Sequence, residues 1–353
     1  MIRRAGLVLG LALLSTTALA AGTVAPNVAP QGVTTAYQIT PELSNQPGMA
    51  RRTDKSLINP WGIAALPNEP LWININGSAK SGIFSRTHFK QDGKVKTGDD
   101  PTGIVVIPAN PNGTADFNIT EGSNTGPAQF AFVTEDGLLQ GWNPSVDVKH
   151  AVTAIDRSGA SSRFTGIEFV PQTRTLMLCD FTNGFVEMFD GGFNETGHFT
   201  DNTLPPNFEP FNARLIRGKI YVAFAQMDPA TGEEVKGAGL GYIDVFDQQG
   251  NMLKQLVSQG ALNAPWGMAI APSGFGQFAG DLLVGNFGDG KINVYDPASG
   301  SQLGTLSDAS GNPLVIDGLW GIKVEGSKLL FAAGPNDEAN GLVGLVSVVP
   351  PGG

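Results

Sequence analysis

The chain has 353 residues, 41% of them hydrophobic and 15% charged, where an ordinary soluble domain carries roughly 25% charged residues. Glycine (47) and proline (24) together make about a fifth of it, short of the share that marks low complexity, so a large core is affordable on composition. A net charge of −10 disfavours nucleic acid and anionic headgroups as partners. The single cysteine, Cys179, excludes an internal disulfide framework, a cysteine-ligated zinc site and an iron–sulfur cluster.

In chain order, Arg3 and Arg4 precede an apolar run from Leu7 to Leu14 and the small residues Ala18-Leu19-Ala20-Ala21. That is the order of a cleavable secretory leader, and the run is too short to span a bilayer. Residues 1–21 are expected to be removed, 22–34 to form a flexible linker, 35–349 a single domain and 350–353 a tail, giving a secreted or periplasmic protein with no membrane span.

A short pattern then recurs: a turn residue, a glycine and alternating apolar residues. Pro60-Trp61-Gly62-Ile63-Ala64 matches Pro265-Trp266-Gly267-Met268-Ala269, and Leu319-Trp320-Gly321-Ile322-Lys323 follows. Weaker copies stand at Gly103 and Gly166, and Ala213 fills the remaining slot. The intervals of 41, 63, 47, 54 and 54 residues between anchors belong to propellers or solenoids. Each anchor is followed by a second apolar strand, such as Thr175 to Cys179 or Lys219 to Ala225. A turn and a third strand come next, as in Phe185-Val186-Glu187-Met188-Phe189-Asp190. Alternation has period two throughout, and turn pairs such as Asn183-Gly184 and Asp289-Gly290 supply positive φ. Six repeats of four short strands predict an all-β fold, a six-bladed β-propeller. The sixth repeat ends one strand short, which would leave an open edge. Thr35-Ala36-Tyr37-Gln38-Ile39 belongs to no repeat and is expected to complete that last blade.

Several phrases resemble known propellers: Asn59-Pro60-Trp61-Gly62, Gly141-Trp142-Asn143-Pro144, Phe199-Thr200-Asp201, Gly285-Asn286-Phe287-Gly288-Asp289-Gly290 and Gly334-Pro335-Asn336-Asp337-Glu338-Ala339. The ring pattern is similar to NHL-type propellers. The phrases resemble an uncharacterised family of secreted bacterial propellers, some of whose members carry a C-terminal sorting tail; none is expected here. The resemblance implies fold and export and carries no catalytic residues with it.

In a propeller, the loops leading into the inner strands and the turns between second and third strands ring one face. Here they offer Asn59, Asp100, Asn263 and Asp317, supported by Asp180 and Asn286, with Arg163 the main basic exception. Oxygen-rich side chains of this kind suit Ca2+, which takes six to eight hard oxygen ligands. In six-bladed lactonases, which the chain resembles in architecture, an axial calcium polarises the scissile carbonyl. The competing account is that Asn and Asp are what tight turns demand. Trp61, Trp266 and Trp320 share one repeat position, where packing is favoured over a ligand-stacking role.

Other chemistries lack their residues. His88, His150 and His198 fall in outer or connecting parts of different blades, no G-x-S-x-G elbow exists, and Cys179 sits inside an apolar strand. The expected function is therefore a monomeric binding or scaffolding propeller that presents its loop-rich face to a protein, polysaccharide or small molecule. A Ca2+-dependent lactonase or esterase is the alternative.

Overall fold

The computed structural model describes residues 35–350, so the leader expected over 1–21, the linker over 22–34 and the last three residues lie outside the described residues. Within them are five four-stranded antiparallel sheets, one five-stranded sheet and an added hairpin.

Blade one consists of Pro60–Ala64, Leu71–Ile75, Lys80–Phe84 and Gln91–Lys96, from the inside outwards. Blades three, four and five repeat that order from Phe164–Val170, Phe208–Ile216 and Pro265–Ile270. Blade two runs Pro101–Val106, Phe130–Thr134, Leu138–Trp142 and Val152–Asp156. A hairpin of Asn118–Glu121 and Asn124–Pro127 is inserted after its first strand. That hairpin accounts for the long interval between Gly103 and Gly166. Blade six has Leu319–Glu325, Lys328–Ala333 and Leu342–Val348, and its fourth strand is Tyr37–Ser44, paired antiparallel with Leu342–Val348. The expected closure by the N-terminal segment is what the structure has. Tyr37 anchors it: its ring is buried, its hydroxyl donates to the Phe275 carbonyl at 2.9 Å, and its centroid lies 5.0 Å from that of Phe275.

The second strands read as unbroken apolar runs because both faces of each blade are covered. In blade three, Leu176 and Leu178 point into the core shared with blade two, while Met177 and Cys179 enter the core shared with blade four. One apolar cluster fills each of the six seams between neighbouring blades, and a seventh sits on the axis. The seams are the stabilising unit of the fold, at about 25 cal/mol per Å2 of apolar surface removed from water.

The anchor glycines have a steric cause. A Cβ on Gly321 would lie 2.3 Å from the Trp61 carbonyl oxygen, and one on Gly267 would lie 2.7 Å from that of Trp320. Neighbouring inner strands approach too closely for a side chain between them. Hydrogen bonds complete the inner ring: Thr102 Oγ1 donates to Phe164 O at 2.7 Å, Thr165 Oγ1 to Phe211 O at 2.8 Å, and Asn212 Nδ2 to Trp266 O at 2.8 Å. No helix among the described residues is long and apolar enough to cross a membrane.

Candidate functional site

The residue just before each anchor points to the axis. In blades two, three and four it is Thr102, Thr165 and Asn212; in blades five, six and one it is a tryptophan. The three indoles therefore converge from one half of the ring. Trp320 is sandwiched, with Trp61 stacked at 3.5 Å on one side and Phe287 at 3.8 Å on the other. Trp266 meets both Trp61 and Trp320 edge-on and donates from Nε1 across the axis to the Thr165 carbonyl at 3.1 Å. All three are buried, so they pack as a plug and offer no open stacking face. On the far side of the plug the channel narrows to about 20 Å3 between the inner strands.

Above the plug lies the loop-rich face. Four residues three places before an anchor have positive φ: Asn59 (+49°), Asp100 (+46°), Ala264 (+45°) and Gly318 (+65°). Asn and Asp tolerate this left-handed conformation better than other side chains. Backbone demand thus accounts for Asn59 and Asp100. Asn263 and Asp317 stand one position earlier in their repeats, so the four expected ligands are not equivalent in register.

Three of the four have an oxygen engaged, each by a different donor. Asn59 Oδ1 accepts from Trp320 Nε1 at 2.9 Å, and its Nδ2 donates to Glu338 and to Asn76 Oδ1. Asn263 Oδ1 accepts from the Gly237 amide at 2.7 Å, and Asp317 Oδ2 from the Asn336 amide at 2.8 Å. Asp180 accepts from the amides of Arg163 and Asn183 and from Asn183 Nδ2. Asn286 donates to Ala261 O and Asp289, leaving its own Oδ1 buried without a donor. Burial, followed by the charges of Glu135, Asp136 and Asp99, raises the pKa of Asp100. Among the described residues, no group of three or more His, Cys, Asp or Glu side chains is arranged to hold a metal ion. The oxygens of Asn59, Asn263, Asp317 and Asp180 are each engaged by different donors.

What does converge is a network around Arg163. Its guanidinium donates to Glu135 Oε1, to the Gly232 carbonyl at 2.6 Å and to Glu233 Oε2 at 2.7 Å. Burial works to lower its pKa, but Glu135 and Glu233 outweigh that and raise it. Asn76 Nδ2 joins Glu135 at 2.9 Å, linking this network to Asn59 and Glu338. Glu338 ends a run of three consecutive left-handed residues, Asn336 (+61°), Asp337 (+47°) and Glu338 (+64°). Each costs roughly 1 kcal/mol or more, and the run hangs the Glu338 carboxyl inward, where burial and then Glu135 raise its pKa.

The blade-four segment Asp228 to Gly239 lies over this mouth. Gly232 and Glu233 meet Arg163, the Gly237 amide meets Asn263, and Lys236 Nζ sits 4.4 Å over the Phe287 ring. Glu234 is carried inside with Oε2 unpartnered, and burial pushes its pKa up to about 8. Beside the strap is a cleft of about 620 Å3 whose lining includes Glu135, Asp136, Ser158, Ser162, Arg163 and Thr231. Sequence reasoning singled out Arg163 as the basic exception on this face but not its partner in the strap, since the Arg163–Glu233 pair joins residues 70 positions apart. The histidines lie at the periphery, His198 on an outer strand and His88 and His150 in connections. Burial, and then Asp180, raises the thiol pKa of the fully buried Cys179, as its apolar strand led one to expect.

No family model matches the chain. Among solved structures, a catalytically inactive virginiamycin B lyase from Staphylococcus aureus with quinupristin aligns at TM-score 0.49 and 9% identity, over 90% of this chain and 100% of that one. Hydrazine synthase of Kuenenia stuttgartiensis aligns at TM-score 0.46 and 13% identity, over 87% and 99%. An uncharacterised protein of Acanthamoeba polyphaga mimivirus is 32% identical over 340 residues, covering 90% of this chain and 82% of its own. A second protein of that virus, also uncharacterised, is 32% identical over 333 residues, covering 89% and 87%. With that identity along nine-tenths of its length, the chain belongs to the family of these uncharacterised mimivirus proteins.

Proposed function

We propose that the chain is an exported binding propeller that takes a saccharide on its loop-rich face. The observation that carries this reading is the 620 Å3 cleft beside the blade-four strap, where carboxylates, serine and threonine hydroxyls and one arginine line a single wall. Such a lining supplies the donors and acceptors that a polyhydroxylated ligand needs, on a rigid frame that loses little entropy on binding. Export rests on the charged, apolar and small-residue order of residues 1–21. Titration calorimetry with a panel of neutral oligosaccharides tests the reading. Binding by the full chain, abolished by Thr182→Trp at the cleft wall, is the expected result. No heat with any member at millimolar concentration, or equal binding by the variant, would refute it.

The competing reading is a calcium-dependent hydrolase of lactones or esters at Asn59, Asp100, Asn263 and Asp317, for which Asn59, Asn263 and Asp317 would have to release their present partners and turn their oxygens to one centre. What supports the binding reading over it is that those three oxygens face different donors, from Trp320, Gly237 and Asn336.

A further inference from the structure

The geometry points to a second site, on the rim between blades one and two, that takes a multiply charged tetrahedral oxyanion, a phosphate or sulfate group. The chain carries a net charge of −10, yet residues 51–96 hold eight lysines and arginines against three carboxylates. Four of those and neighbouring cations line one cavity of about 480 Å3: Lys80, Lys94, Lys96 and Lys149, with His150 beside them.

The strand register explains why they meet. Lys80 is the direct cross-strand partner of Lys96, and Lys94 is opposite Gly82. Lys80, Lys94 and Lys96 therefore stand on one face of blade one, since side chains two apart share a face. Lys149 and His150 are brought from blade two and fixed by a short parallel bridge. In it the Lys96 amide donates to Lys149 O at 2.8 Å and the Ala151 amide to Lys96 O at 2.9 Å. Like charges directly opposite one another are destabilising. None of these lysines joins a described salt bridge, the one lysine that does being Lys291 with Asp289. The nearby acid Asp147 is already held in its own turn by the amides of Lys149 and His150 and by His150 Nδ1. Asp54, on the other side, has Oδ1 engaged by Ser56 and Oδ2 without a donor, one carboxylate against the four lysines.

Lys80 is 9% exposed, so its stem is packed. Burial lowers its pKa, Asp54 opposes that, and Lys94 lowers it further. An anion with two or more charges in the cavity would offset both the burial and the mutual repulsion. The arrangement is otherwise a cost with no return, which the sequence could have removed with a single glutamate.

The test uses the full chain and two probes, inorganic tripolyphosphate and a defined sulfated oligosaccharide, followed by calorimetry and thermal melting. At least one probe is expected to bind, to raise the melting midpoint and to weaken severalfold when salt is raised from about 0.05 to 0.5 M. Which probe binds assigns the source of the oxyanion. Lys80→Gln/Lys96→Gln is expected to melt higher than the parent without probe and to lose at least tenfold in affinity. Should that pair disturb folding, Lys94→Gln, on an exposed position of the same face, is expected to lose severalfold. Lys219→Gln, on a distant strand tip, is expected to leave affinity unchanged. Failure of both probes, retention of binding by the lysine variants, or an equal loss in Lys219→Gln would overturn the proposal. None of these outcomes depends on whether the saccharide cleft is occupied.

Discussion

Asp244→Asn tests whether buried carboxyls set the pH response of the fold. Asp244 lies in the third strand of blade four, fully buried, and neither carboxylate oxygen has a donor among the described residues. Its neighbour is Asp201, whose Oδ2 is also without one. A proton shared between the two carboxyls joins Asp201 Oδ2 to one oxygen of Asp244 and removes the repulsion between two buried charges. Burial first, and Asp201 second, push the Asp244 pKa from 3.8 up to about 8. Below about pH 4 the folded and unfolded chains both hold this proton. Between 4 and 8 only the folded chain does, so the stabilising contribution is lost progressively as pH rises and is gone above 8. One proton is worth about 1.4 kcal/mol per pH unit at most, and the value belongs to the coupled pair. From pH 5 to pH 8 the wild type should therefore lose up to about 4 kcal/mol through this pair. An asparagine cannot ionise, and its amide can donate to Asp201. The variant should match the wild type within about 1 kcal/mol at pH 5 and exceed it by about 3 kcal/mol at pH 8. Urea unfolding at unit steps of pH measures both. An unchanged slope of stability against pH in Asp244→Asn would show that the pair does not hold a proton. Glu187 and Glu234, raised to about 7 and about 8 by burial above all, act in the same direction, so the variant's slope should flatten without vanishing.

Gly321→Ala should cost about 2–3 kcal/mol, because the new Cβ meets the Trp61 carbonyl oxygen at 2.3 Å across the seam of blades six and one. Gly159→Ala, with no atom within 4 Å of its Cβ, should stay within about 0.5 kcal/mol of the parent. Denaturant midpoints compare them, and equal effects would dissolve the steric account of the anchors. Tyr37→Ala should lose about 3–5 kcal/mol, since it empties the core under the closing strand, and Tyr37→Phe about 1 kcal/mol; thermal melting reads both, and a neutral Tyr37→Ala would mean that closure is not under load. Calcium at millimolar concentration against chelator should leave the melting midpoint where it is, because three of the four expected ligands, Asn59, Asn263 and Asp317, already accept from separate donors. A rise of several degrees, abolished by Asp317→Ala, would restore the hydrolase reading.

The ring and its closure were legible because they rest on local rules. Period-two alternation marks strands, a glycine recurs wherever neighbouring inner strands crowd, and a spare strand before blade one matches a missing one after blade six. The site was legible only as a face. Asn59 and Asp100 were singled out for their oxygens, whereas the left-handed backbone at those positions selects the same residue types for another reason. Trp266 was read correctly as packing, but its partner Thr165 is 101 residues away and lies across the axis. The Arg163 network depends likewise on a strap from the next blade. Contacts between non-adjacent parts of a ring follow from how the repeats close, and a linear pattern holds no distance for them.

The tryptophan plug constrains any function the chain performs. With Trp61, Trp266 and Trp320 filling the axis and about 20 Å3 left beyond them, nothing passes from one face to the other. The two mouths are also chemically different. The upper one is dominated by carboxylates around Arg163, while the lower one gathers Lys323, Arg214 and Arg86 against Glu168 and Glu325. Burial, and then Arg214, lowers the Lys323 pKa, and Glu325 and Glu168 oppose that. A ligand drawn to the axis from below finds only about 20 Å3 between the inner strands, room for no more than a water molecule. From above it meets the strap and the cleft beside it, where 620 Å3 stands open against walls already rich in donors and acceptors. On the proposed binding reading, a ligand is therefore placed at the rim, in pockets between blades, where each seam can present different chemistry without disturbing the other five.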